Sequence, residues 1–166
     1  MDIAIERLES LRVVDVMTRK VFCLRSDETL LQASKRILET GVASAPVVDE
    51  KGVCVGMVGL RILLREITEG FTVVPWSSAS NGTVSKQDGE PLPSSPAADR
   101  RVWDVMSHGV QSIAPETGIL ATARIMCLQH AHRLVVLDSQ GAPIGMVSSM
   151  DIVSTLINVM DEMQPK

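Results

Sequence analysis

The stretch Gly141-Ala142-Pro143-Ile144-Gly145-Met146-Val147-Ser148-Ser149-Met150-Asp151-Ile152 decides how this chain folds. A turn glycine, Gly141, precedes an apolar run at 144–147 that reads as a buried strand. Ser148 and Asp151 then stand three apart, just ahead of Ile152, Val153, Leu156, Ile157 and Met160 at helical spacing. The chain therefore passes from strand to helix within a few residues. Two readings of that join stand side by side. A hydroxyl and a carboxylate at a helix mouth can hold a ribose, while the free N–H groups of the first turn hold a phosphate. Ser-x-x-Asp before an apolar helical pattern is also a capping box, with no ligand required.

Most of this stretch occurs twice. Gly56-Met57-Val58 answers Gly145-Met146-Val147, Asp15 answers Asp104, Asp49 answers Asp138 and Gly52 answers Gly141. Each pair lies 89 positions apart (104 − 15, 138 − 49), and no gap is needed from Val13 to the end of the last helix. Chance does not hold a gapless register that long, so the chain carries a duplicated unit of roughly fifty-odd residues.

In the first copy, Val13-Val14-Asp15-Val16-Met17 precedes a short strand at 21–24. Ser26 and Asp27 supply N-cap chemistry for a helix bearing Leu30, Ala33, Ile37 and Leu38, closed by Gly41. Pro46-Val47-Val48, a turn at 49–52, a strand at 53–58 and a helix at 60–68 ended by Gly70 complete it. In the second copy, Val102-Trp103-Asp104-Val105-Met106 leads to a strand at 110–113 and a helix opened by Pro115-Glu116-Thr117. Strands at 134–137 and 144–147 flank the turn at 138–141, and the last helix runs over 150–163. The fold class is α/β (α+β): two gapless β-α-β-β-α repeats packed with pseudo-two-fold symmetry, sheet against sheet through their helices. Residues 1–12 form an N-terminal helical arm, 13–69 the first repeat, 70–100 an insert and 101–166 the second repeat. The insert has Ser/Pro/Gly-rich linker composition, as in Ser77-Ser78-Ala79-Ser80-Asn81-Gly82. Only Phe71-Thr72-Val73-Val74-Pro75-Trp76 within it carries apolar bulk, either tucked on the first copy or docking a partner.

Composition narrows the function. A hydrophobic fraction of 45% and a charged fraction of 22% fit a globular protein, and the chain has no Tyr, two Phe and two Trp. Stacking platforms for single-stranded nucleic acid are therefore missing. A net charge of −4 argues against nucleic acid and anionic membrane as partners. No apolar run reaches transmembrane length and the N-terminus lacks a signal-peptide pattern, so a cytoplasmic location is expected. Cys23, Cys54 and Cys127, odd in number and widely spaced, read as buried thiols, with a redox pair as the alternative. His130 and His132 are two apart and joined by no cysteine or carboxylate cluster, so no metal site is expected. No nucleophile elbow or phosphate-loop motif occurs, and enzymatic activity is not expected.

The duplicated Val-x-Asp-Val-Met openings, the turn Pro46-Val47-Val48-Asp49-Glu50-Lys51-Gly52 and Gly145-Met146-Val147-Ser148-Ser149-Met150-Asp151 together resemble a tandem cystathionine-β-synthase (CBS) domain pair, or Bateman module. The resemblance implies a flat dimer of pairs and clefts between repeats that take AMP, ADP, ATP or S-adenosylmethionine as regulatory ligands, with no cofactor required. Asp151 would accept the ribose hydroxyls, and Ser148, after Gly145, Met146 and Val147, would face the phosphates. Ser112, Ile113 and Pro115 match a Thr-hydrophobic-x-Pro motif lining the same cleft, and His132, Arg133 and Leu134 would flank the base. In the first copy Gly59 stands for Ser148 and Ile62 for Asp151, while Cys23 and Ser26 replace the Thr and Pro of that motif. One intact site per chain is expected. Two functions follow: a stand-alone regulatory module sensing an adenosine-containing ligand, or a ligand-independent dimerisation and protein-docking module with an unidentified regulated partner. A pure docking module has no need of Ser148 with Asp151.

Overall fold

The computed structural model describes residues 2–68 and 99–162. The first part carries α1 (Asp2–Ser10), α2 (Val13–Val16), β1 (Leu24–Arg25), α3 (Leu30–Thr40), β2 (Ser44–Val48), β3 (Cys54–Gly59) and α4 (Leu60–Thr68). The second opens on a 3₁₀ turn (Val102–Asp104) and continues as β4 (Ser112–Ile113), α5 (Ile119–Gln129), β5 (Arg133–Leu137), β6 (Pro143–Ser148) and α6 (Ser149–Glu162). The helix end at Gly70, the 71–76 segment, the linker run 77–98 and the end of the last helix at Met163 lie outside the described residues.

Each repeat builds a three-stranded sheet in which the first strand runs parallel and the third antiparallel to the middle one. The register repeats as well: Val47 opposes Gly56 and Val136 opposes Gly145, with an irregularity after each of those valines. The paired aspartates explain themselves locally. Asp49 Oδ1 accepts from the amides of Lys51 and Val53, and Asp138 Oδ1 from those of Gln140 and Ala142, closing the two hairpin turns. Asp15 and Asp104 accept from the amides of Arg12 and Arg101 and close the turns that open each repeat.

Sequence order and packing do not coincide. Val13 and Met17 are buried in a core with Ile113, Ile119, Leu134, Val136, Val147 and Ile152 of the second repeat. Reciprocally, Val102 and Met106 are buried with Leu24, Leu30, Ile37, Val47, Val58 and Leu63 of the first. The openings are thus exchanged. Amides of Val13 and Val14 donate to the carbonyls of Thr117 and Pro115, and amides of Val102 and Trp103 to those of Glu28 and Ser26. Further along, Thr18 and Met146 exchange two backbone hydrogen bonds, as do Ser107 and Met57. Helix α3 pairs with α4 and α5 with α6, while α1 packs on α5 and α6 and α2 on α6; most backbone hydrogen bonds that join the repeats run through the exchanged openings, and the Cys54 amide adds one to the Gly141 carbonyl at 2.9 Å.

This exchange corrects both expected helix starts. Residues 26–28 and 115–117 are held by the incoming opening, so each helix begins later. Thr29, not Ser26 or Asp27, caps α3 in a reciprocal box with Gln32, and Asp27 pairs instead with Arg25 at 2.9 Å. Helix α5 starts after Gly118 and leaves Pro115-Glu116-Thr117 outside it. Of the apolar residues on α3, Leu30, Ala33 and Ile37 are core, whereas Leu38 is 58% exposed. Cys23 and Cys54 are half-buried, but Cys127 is exposed, against the expectation of three buried thiols. Burial pushes the Cys23 thiol up to about 11, with Cys54 adding to the rise and Arg36 opposing it.

Two features make testable demands. A Cβ at Gly56 would overlap the Ser107 carbonyl oxygen and lie 2.8 Å from the Met106 sulfur, whereas one at Gly145 would overlap the Met17 sulfur and lie 3.2 Å from the Thr18 carbonyl. Gly56→Ala strikes backbone, and Gly145→Ala strikes mainly a flexible side chain. Both should destabilise by roughly 1–3 kcal/mol, Gly56→Ala the more, as read by denaturant unfolding. Equal stability of wild type and Gly56→Ala would show that the exchange does not need that contact.

Helix α3 ends on Gly41 at φ +70°, and its counterpart at the end of α5 is His130 at φ +51°. A histidine in that region carries a Cβ cost that glycine lacks. His130→Gly should therefore raise stability by roughly 0.5–1 kcal/mol, an increase in melting temperature of about 2 °C. An unchanged or lower melting temperature would count against strain at this cap.

Candidate functional site

Strand β6 turns directly into helix α6 at Ser148, and three hydrogen bonds between Ser148 and Asp151 close the join. The Ser148 amide and hydroxyl both donate to Asp151 Oδ2 at 2.7 Å, and the Asp151 amide donates to Ser148 Oγ at 3.2 Å. The capping box is therefore formed. It uses the Ser148 hydroxyl proton and one of that oxygen's two lone pairs, and Asp151 Oδ1 accepts no hydrogen bond among the described residues. A carboxylate has about four lone-pair sites, so this one retains acceptor capacity.

Asp151 looks into a cleft of about 250 Å³ built by both repeats. The second repeat contributes Arg133, Met146, Val147, Ser148 and Asp151, and the first contributes Thr18, Lys20, Val21, Phe22 and Val42. The exchange brings them together: once Met17 is buried in the second core and Thr18 is bonded to Met146, residues 18–22 run along the mouth of β6. Arg133 lies directly across the strand pair from Ser148. Neither Lys20 nor Arg133 has an ion-pair partner among the described residues, so the cleft holds two uncommitted cations and one carboxylate. Phe22, beside them, carries the Arg36 guanidinium 5.1 Å from its ring centre.

Of the residues singled out in the sequence, Arg133, Met146, Val147, Ser148 and Asp151 meet in this cleft. The others do not line it. Gly145 lies under the Met17 sulfur, and Leu134 and Ile113 are core. Ser112 sits on β4 opposite Val135, and the Pro115 carbonyl receives the Val14 amide. His132 borders a separate hollow with Cys127, His130 and Ser149. Thr18, Lys20, Val21, Phe22 and Val42 escaped the sequence reading, because an 89-residue register pairs positions without saying which repeat a segment joins.

The pseudo-symmetric cleft is chemically different. It measures about 350 Å³ and is lined by Ser44, Met57, Val58, Gly59, Ile62, Val105, Met106 and Ser107, with no charged side chain. Ile62 occupies the Asp151 position and Gly59 that of Ser148. Packing does not force the glycine, since a Cβ there would meet only ordinary contact, 3.5 Å from the Ala43 carbonyl. Among the described residues no three His, Cys, Asp or Glu side chains come together, and no helix is long and apolar enough to cross a membrane.

Residues 13–69 and 102–158 each match the family model of the CBS domain. The chain belongs to the CBS domain family. It is a tandem CBS pair, and its two-sheet fold matches solved CBS pairs. Two uncharacterised proteins of Methanocaldococcus jannaschii are 26% and 27% identical over 87% and 89% of this chain, which spans only 28% and 45% of their own lengths. A CBS domain-containing protein of Dictyostelium discoideum is 27% identical over 93% of this chain and 97% of its own length. Among solved structures, CBSX2 in complex with AMP is 19% identical with a TM-score of 0.65, covering 91% of this chain and 99% of its own. The CBS domain pair of protein MJ0100, in complex with 5′-methylthioadenosine and S-adenosyl-L-methionine, is 16% identical with a TM-score of 0.61, covering 89% and 96%. The CBS domain of a bacterial CNNM/CorC family Mg²⁺ transporter in complex with ATP is 17% identical with a TM-score of 0.65, covering 94% of each chain. At these identities the CBS structures speak to fold.

Proposed function

We propose that this CBS pair is a regulatory module, not an enzyme, that binds one adenosine-containing ligand in the Asp151 cleft. The supporting observation is the free Oδ1 of Asp151 in a two-repeat cleft that also holds Lys20 and Arg133. A carboxylate oxygen accepts the paired hydroxyls of a ribose, the cations suit a phosphate, and Val21, Phe22 and Val42 offer apolar surface to a base. That CBS pairs of the same fold are solved with AMP, ATP, 5′-methylthioadenosine and S-adenosylmethionine supports the ligand class. The first-repeat cleft, with Ile62 at the ribose position, takes no part.

Asp151→Asn tests the reading, because the amide keeps an oxygen for the cap but loses the charge. Ligand affinity should fall about tenfold to a hundredfold by calorimetric titration, while stability changes by no more than about 1 kcal/mol. Equal affinity in wild type and variant would remove Asp151 from the binding site and leave it as a cap alone.

A second reading, dimerisation and docking on a regulated partner, draws on the exposed apolar side chains of α5 and α6. Leu128 is 81%, Met150 66% and Met160 65% exposed, with Val153 and Ile157 beside them. The two readings are compatible in a cytoplasmic homodimer that presents nucleotide-dependent surfaces. Light scattering at tens of micromolar should give at least twice the 18.0 kDa chain mass. A monomer at that concentration would defeat the dimer.

A further inference from the structure

The end of helix α5 carries chemistry that the Asp151 cleft does not use. Met126, Cys127, His130, Ala131, His132 and Ser149 line a hollow of about 270 Å³. Cys127 lies in the last turn of α5, His130 caps that helix and His132 immediately precedes β5. The hollow thus gathers one thiol and two imidazoles, and Cys127 supplies the cysteine that the histidine pair lacks when read by itself. Two intervening residues, as between Cys127 and His130, is a separation at which one turn of chain delivers two metal ligands. The backbone here is fixed. Amides of His130 and Ala131 donate to the carbonyls of Cys127 and Met126, and the His132 carbonyl accepts from the Ser149 amide. The three side chains are exposed and make no hydrogen bond or ion pair among the described residues. As they stand, their donor atoms do not converge on one point. Exposed side chains change rotamer on the order of nanoseconds, so convergence is a matter of side-chain rotation on a fixed backbone.

The same turn folds in the first repeat without any of these donors. In the 89-residue register Cys127, His130 and His132 answer Leu38, Gly41 and Ala43. Leu60 bonds to the Ala43 carbonyl as Ser149 does to that of His132. At the cap, glycine suits the left-handed backbone, whereas His130 at φ +51° carries a Cβ cost. Packing asks for none of the three. We propose that Cys127, His130 and His132 form a binding site for a divalent cation of the zinc class, held by one thiolate and two imidazoles. Thiolate with imidazole selects such cations, and no carboxylate lines the hollow to favour magnesium or calcium. Binding releases the Cys127 thiol proton to solvent, and three protein ligands leave the fourth tetrahedral position to water. The site is independent of the adenosine reading of the Asp151 cleft.

Cobalt(II), which shares these ligand preferences and absorbs visible light, tests the site on the whole, reduced chain. Titration should give a thiolate-to-cobalt charge-transfer band and the visible bands of tetrahedral cobalt, and zinc should displace the cobalt and raise the melting temperature. Cys127→Ser should abolish the charge-transfer band, whereas Cys23→Ser and Cys54→Ser should keep it. His132→Ala and His130→Gly should each weaken cobalt at least about tenfold. Because His130→Gly is expected to stabilise the fold, its loss of cobalt cannot come from unfolding. Asp151→Asn should bind cobalt as wild type does. A titration without a charge-transfer band, a band that survives Cys127→Ser, wild-type affinity in either histidine variant, or an affinity that falls with Asp151→Asn would overturn the site.

Discussion

Everything in this molecule depends on how closely two backbones approach where the openings cross over. Thr18 bonds to Met146, and Ser107 to Met57, through paired amide and carbonyl groups. One residue along each third strand, Gly145 and Gly56 leave room for the methionine that arrives with the opening. A side chain at either place would push the opening out. Each core would then lose a valine and a methionine that reach it only from the other repeat, several kcal/mol of buried apolar surface. A unit of roughly fifty residues is marginal alone, and the exchange makes each repeat complete the other. The same crossing delivers residues 18–22 to the mouth of β6, so the joint that stabilises the fold also furnishes half of the candidate site.

The clefts diverge because the fold asks little of the positions that differ. In both repeats the carbonyl preceding the middle strand takes the first amide of the last helix: His132 from Ser149 and Ala43 from Leu60. That bond fixes the strand-to-helix turn whatever follows. The Asp151 box adds a cap at one turn, and the other does without it, keeping Gly59 and Ile62. The carboxylate is therefore not imposed by the backbone, whose counterpart folds with an isoleucine. This asymmetry separates the two readings of Ser-x-x-Asp more sharply than the capping geometry does, since a formed box is equally at home beside a ligand.

Much of this was legible in the sequence because both signals involved are local or periodic. Turn aspartates such as Asp49 and Asp138, apolar runs such as 144–147 and the 89-residue register give two β-α-β-β-α units without reference to tertiary structure. The cleft residues on β6 and α6, and Arg133 across from them, were legible for the same reason. The exchange was not. A valine in Val13-Val14-Asp15-Val16-Met17 is equally apolar in either core, and no spacing records which sheet it reaches. The errors follow from that one gap. Ser26 and Asp27 carry good capping chemistry but meet the amides of the incoming 3₁₀ turn, Trp103 on the Ser26 carbonyl and Val102 on that of Glu28, so Thr29 takes the role, and Pro115 spends its carbonyl on Val14. Ser112, Ile113 and Pro115 were assigned to the cleft by motif, whereas the side of it opposite Asp151 is made by residues 18–22.

A ligand in the Asp151 cleft has an energetic consequence that follows from this construction. The two cores are complete without it, so a bound nucleotide adds little to either. Its contacts fall on Lys20, Val21 and Phe22 from one repeat and on Arg133, Ser148 and Asp151 from the other, across a joint held by the exchanged valines and methionines and by the backbone hydrogen bonds beside them. Binding free energy is then stored where the repeats meet, and a ligand at a hundred times its dissociation constant would stabilise that joint by about 2.7 kcal/mol. A shift of that size is larger than the bonds between Thr18 and Met146 are worth individually. Under the proposed reading, the relative setting of the two repeats, rather than the folding of either, is what the nucleotide controls, and any surface that spans both repeats changes with it.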